Sequence, residues 1–203
     1  MRGLPASRRP MLLLLPLLAL PALIGLGCAS LAPRYYVNRQ ADMSLYKRVA
    51  VLPFGNLSTQ GLAGERVTRA FVTELVIADR YRVVEPGEFR AVLHGLDADP
   101  APDGTVDPEK LRDAAGKLDA TGVIRGSVTD YEVQRRGQDE FPVVSFDVEL
   151  LDVATGNIVW RASITRRGHA RLPVFGGSSS LTLGSLTQSA CSELVDGLRR
   201  KAF

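Results

Sequence analysis

The chain has 203 residues, 45% of them apolar and 23% charged, with 19 glycines and 12 prolines. Those proportions lie near the globular average and exclude a collagenous, a wholly disordered or a polytopic membrane protein, and the length suits one domain plus a targeting segment. The formal net charge is +3, but Arg2, Arg8 and Arg9 lie in an opening stretch that holds no acid; without them Lys plus Arg falls from 25 to 22, level with the 22 acids. A neutral remainder gives no support for a nucleic-acid partner, which needs a clustered basic face.

Three arginines, an apolar run from Met11 to Gly27 and then Cys28 form the pattern of an export signal. The run is interrupted by Pro16 and Pro21 and falls short of the ~20 residues that a permanent membrane helix needs, so residues 1–27 are expected to be a removable signal peptide. The small residues before Cys28 resemble the lipobox of bacterial lipoproteins, in which the thiol receives a diacylglycerol and the preceding peptide bond is cut. That resemblance implies a lipid anchor at Cys28. Ala29 and Ser30 follow it, with no aspartate, which implies the periplasmic face of the outer membrane. Residues 28–46 lack a period and read as the lipidated cysteine and a tether, with Tyr35 and Tyr36 as candidate contact residues or as the pair that docks the tether on its own domain.

A domain over 47–203 follows. Arg48–Phe54 is β-rich; Gly61–Asp79 carries Val67, Ala70, Phe71, Leu75 and Ala78 at helical spacing. Tyr81–Glu85 is a second strand stopped by Pro86-Gly87, and Glu88–Leu96 a short helix. Asp107-Pro108 reads as an N-cap with proline at the first helical position, opening a helix to about Leu118. Gly122–Val133 is a third strand whose glycines mark bulges or close backbone approach. Alternation at Val144, Phe146, Val148 and Leu150, then at Ile158, Trp160, Ala162 and Ile164, predicts an antiparallel hairpin with one buried face. Leu181–Arg200 closes the chain as an amphipathic helix. The expected fold is α/β of the α+β kind: a mixed β-sheet with an antiparallel C-terminal hairpin, covered by helices, in the order β-α-β-α-α-β-β-β-α.

No phosphate loop, dinucleotide fingerprint, nucleophile elbow or zinc spacing occurs, so no catalytic, cofactor-binding or metal residue is expected. His94 and His169 have no nucleophile pattern beside them, Asp97, Asp99, Asp103 and Asp107 lack calcium-loop spacing, and Cys191 reads as a small buried group. A polymer hydrolase would need paired carboxylates, for which Glu65, Glu74 and Glu85 are the candidates.

Three segments together, Arg48–Phe54 with Tyr81–Glu85, Ala120–Tyr131, and Val148–Trp160, resemble the curli secretion (CsgG) family, including its LpoB-like and PelC-like relatives. The resemblance implies a non-enzymatic, lipid-anchored periplasmic protein that assembles into oligomers or grips other envelope proteins. Too few residues separate Val133 from Val143 for the membrane hairpins of a curli-type pore. The expectation is an accessory or assembly subunit in envelope secretion, using the stretch 167–180 with Val174 and Phe175 for contacts; the alternative is an LpoB-like activator of a peptidoglycan synthase, a penicillin-binding protein. A tether of ~18 residues, ~60 Å when fully extended, favours the first.

Overall fold

A computed structural model describes residues 32–137, 139–168 and 182–202. Their elements are β1 (Arg34–Val37), β2 (Arg48–Val51), β3 (Gly55–Asn56), α1 (Ala63–Ile77), β4 (Arg82–Val84), α2 (Pro86–His94), α3 (Pro108–Lys117), β5 (Gly122–Arg136), β6 (Asp139–Asp152), β7 (Ile158–Arg167) and α4 (Leu183–Ala202). The strands form one mixed sheet in the order β1-β7-β6-β5-β2-β4, with β3 beside β5. β2 runs parallel to β4 and β5, while β5, β6, β7 and β1 pair antiparallel in succession. The α+β class and the antiparallel C-terminal hairpin are as the alternation predicts.

Helices α1 and α4 cover one face. Phe71, Leu75, Leu194 and Leu198 pack there against Ile124, Phe146, Val148 and the fully buried Trp160. Helices α2 and α3 cover the other face, where Phe89, Leu93 and Leu111 meet Ala50, Leu52, Val123 and Leu151. The second core is smaller and reaches β2, β4, the adjoining ends of β5 and β6 and the first residue of β7, Ile158. Across the rest of the sheet, the second face carries polar side chains and no helix among the described residues.

Local chemistry sets the helix ends. The Asp107 carboxylate accepts from the backbone N–H groups of Glu109 and Lys110 at 3.0 Å each, with Pro108 at the first turn. At α2 the Glu85 carboxylate caps the Glu88 N–H at 2.9 Å. Pro86 therefore begins a helix as well as ending a strand, and α2 starts two residues earlier than its hydrophobic spacing suggests.

Two of the strands carry no pattern in the sequence. Arg34–Val37, inside the stretch expected to be a patternless tether, is an edge strand paired with β7 from Arg34↔Ser163 to Val37↔Trp160. Four residues are too few for alternation to register, and β7 supplies their hydrogen bonds. The two-residue β3 is held where Gly55 lets the 101–105 loop approach: a Cβ there would lie 1.9 Å from the Asp103 carbonyl oxygen. Of the glycines in β5, Gly126 marks close approach, to the Asp147 carbonyl and the Phe54 ring. The bulge falls further on, between Val128 and Asp130.

Candidate functional site

On strands β5 to β7 every second residue points away from the α1–α4 core. On the uncovered face this places Arg125 and Ser127 of β5 beside Asp147 and Glu149 of β6, and these beside Arg161 and Ser163 of β7, in register across three strands. The side chains form one lattice. Arg125 Nε donates to Glu149 Oε1 at 2.5 Å, Arg161 donates to Asp147 Oδ2 at 3.0 Å, and its other nitrogen lies 3.6 Å from Glu149 Oε2. Asp147 Oδ1 also accepts from the Ser127 hydroxyl at 2.7 Å and its backbone N–H at 3.0 Å. Glu149 is only 9% exposed, and its two guanidinium partners offset the desolvation of its charge.

The lattice floors a cleft of about 300 Å³ whose wall is the Asp103–Thr105 loop. Asp103 is spent inside that loop, accepting from the Thr105 N–H and hydroxyl, which holds its carboxyl below the usual range. Next along the face, Arg34, Ser145, Ser163 and Thr165 border a second shallow groove, where the Ser145 and Thr165 hydroxyls bond at 2.9 Å. The surface is polar, half-buried along β5 and β6 and exposed along β7 and β1. Two cations and two anions satisfy one another, so the face suits reversible docking of a partner with its own polar and aromatic groups.

The two candidate tyrosines have separate fates. Tyr35 turns into the core, its ring centroid 6.3 Å from that of Trp160 and its hydroxyl donating to the Glu193 carbonyl at 3.2 Å. Burial, with the Glu193 charge nearby, pushes that hydroxyl above its ordinary pKa. Tyr36 turns outward, 53% exposed and opposite Arg161 on the open face. Cys28, Val174 and Phe175 lie outside the described residues. No motif singles out Arg125, Asp147, Glu149 and Arg161 in the sequence, although the polar half of the hairpin alternation contains three of them.

Two of the three glutamates that a hydrolase could pair are occupied locally, and the third is buried. Glu65 pairs with Arg69, Glu85 caps α2, and Glu74 is buried in α1. Burial, with the Glu74 charge nearby, raises the Cys191 thiol. Glu65 and Glu85 border one groove beside Arg69 and Arg90, and each keeps its structural partner. Among the aspartates of the 97–107 loop, Asp99 accepts from His94 Nδ1 at 2.8 Å and Asp107 caps α3.

The profile of the family described as peptidoglycan-synthase activator LpoB matches residues 29–164, about two-thirds of the chain. The chain belongs to the LpoB family. The match runs from before β1 into β7 and so takes in all the strands of the open face. The fold is similar to that of a PelC dodecamer from Paraburkholderia phytofirmans, at 20% identity, with 81% of this chain and 96% of that one covered and a TM-score of 0.54. It is also similar to the lipoprotein GNA1162 from Neisseria meningitidis, at 22% identity, 73% and 98% coverage and a TM-score of 0.55. No protein of curated function is matched by the sequence. Of the expected relationships, the LpoB-like and PelC-like ones are those these comparisons support; nothing among them supports the curli secretion family itself.

Proposed function

We propose that this LpoB-family protein is a non-enzymatic outer-membrane lipoprotein, anchored through Cys28 on the periplasmic side, that activates a peptidoglycan synthase by docking through the open face of its sheet. The observation that carries this reading is the family match over residues 29–164. The face supports it by offering a rigid platform: Arg125, Asp147, Glu149 and Arg161 are held by each other before any partner arrives, so little side-chain entropy is lost on docking. Tyr36 at its edge supplies an exposed aromatic of the kind that anchors interfaces. The partner is a penicillin-binding protein whose periplasmic region comes within reach of the outer membrane.

A second reading, an oligomeric assembly subunit in envelope secretion, is favoured by one observation: β1 begins at Arg34, which leaves very little free chain after Cys28. The test measures glycan polymerisation by a purified bifunctional synthase with and without the protein. Acceleration by the native chain, reduced in Ser163→Arg and Tyr36→Ala variants that keep their fold, supports the activator. Absence of acceleration, together with a multimer in native mass spectrometry, moves the weight to the second reading.

A further inference from the structure

The bulge in β5 decides where Tyr131 points. Before it, the even-numbered Ile124 and Val128 face the α1–α4 core. The extra residue between Val128 and Asp130 reverses the parity, so Tyr131, opposite Val144, turns into that core instead. Tyr131 is 4% exposed. Its hydroxyl has no hydrogen-bond partner among the described residues, yet it is not sealed in as Tyr81 Oη and Trp160 Nε1 are. It opens into a cavity of about 580 Å³ that Tyr131 lines together with the flank of α1 and the first turns of α4.

The lining holds two arginines and no acid among the described residues. Arg66, Arg69 and Thr73 stand three and four residues apart and therefore share one flank of α1. Arg66 has neither an ion pair nor a side-chain hydrogen bond among the described residues, while Arg69 is held by Glu65 on its own helix. Across the cavity, α4 begins with no acid in its first turn. The Thr182 hydroxyl caps the Ser185 N–H at 3.1 Å, which leaves the N–H groups of Leu183 and Gly184, both in the lining, without an acceptor among the described residues. Unpaired N–H groups at the start of a long helix attract anions.

We propose that this cavity binds a small soluble phosphomonoester, its phosphate held by Arg66, Arg69, the Tyr131 hydroxyl and the first N–H groups of α4. Two guanidiniums and the partial charge of the helix end, less the Glu65 carboxylate, come to about +1.5. That matches a phosphomonoester, which carries about −1.5 to −2 at neutral pH, better than it matches a single carboxylate. The volume lies in the range of organic-ligand sites, and Ala70 and Leu183 give the esterified part an apolar wall. The cavity lies on the helix-covered side of the sheet, away from the open face, so the proposal does not rest on the docking role of that face.

The experiment is isothermal titration calorimetry of the full-length protein in a non-ionic detergent at constant ionic strength, with glycerol 3-phosphate as the probe. Saturable binding is expected, weakened about tenfold by Tyr131→Phe and by Arg66→Gln and unchanged by Arg112→Gln, which removes an equal charge from exposed α3 on the other side of the sheet. Arg66 is exposed, so its variant tests the site even where the tyrosine variant fails to fold. Absence of saturation, or equal weakening by Arg112→Gln, overturns the proposal. Equal affinity for glycerate overturns the choice of phosphate. Uptake of phosphatidylglycerol from mixed micelles with no response to glycerol 3-phosphate gives the cavity to a lipid headgroup and overturns the soluble ligand.

Discussion

Single side chains show where the fold leaves chemistry unused. Tyr81 is 8% exposed and its hydroxyl has no hydrogen-bond partner among the described residues. A buried hydroxyl left unpaired costs about 1 to 3 kcal/mol, and burial pushes its pKa up to about 12. Tyr81→Phe is therefore expected to hold or raise stability by about 1 kcal/mol in urea unfolding; a loss of that size would show a partner that the geometry lacks. The pH dependence has a definite sign. An unfolded tyrosine ionises near its ordinary value of 10.0 and the folded one near 12, so the stability it supports is present below pH 10 and lost between pH 10 and 12. The phenylalanine variant lacks that alkaline step. His94 offers a milder case: the bond to Asp99 holds the imidazole above 6.5. An NMR titration reads this directly, and Asp99→Asn returns the ring toward 6.5. At this scale the candidate site was half legible. Alternation marks Asp147, Glu149 and Arg161 as leaving the core; it does not say that α2 and α3 stop short of them, which is what turns a solvated face into a platform.

Among the elements, β1 depends most on its neighbours. Its four residues gain a place in the sheet because Tyr35 slots between Trp160 and α4, where Gly197 leaves room. A Cβ at that position would sit 2.3 Å from the Tyr35 hydroxyl oxygen. Gly197→Ala is expected to expel the ring and cost about 1 to 3 kcal/mol, the usual penalty of overpacking. Tyr35→Ala in the same chain should recover part of that loss, because the two changes act on one contact. Additive losses in a double-mutant cycle would place the clash elsewhere. The helices and the long hairpin were legible because amphipathic spacing over about ten residues or more is a strong signal. β1 and β3 were not, since so few residues carry no period and their strand geometry is imposed by β7 and β5.

For the whole molecule, the placement of β1 converts a sequence count into a mechanical constraint. The tether that reads as ~60 Å of extended chain shrinks to at most about 22 Å between Cys28 and Arg34, because Arg34–Val37 is fastened to β7. Under the proposed function, an activator anchored at Cys28 and held so close cannot carry its docking face across the periplasm, so the synthase must supply the reach. A Gly/Ser insert of about twenty residues after Ser30 adds a root-mean-square span of about 25 Å while leaving the open face unchanged. With protein and synthase together in detergent, native and lengthened chains should accelerate glycan polymerisation equally, since the face is the same. With the two anchored in separate vesicles, the lengthened chain should accelerate more, because the limit there is the distance between surfaces. Equal activity in both arrangements would mean that reach sets no limit, and that the partner already extends to the membrane holding Cys28.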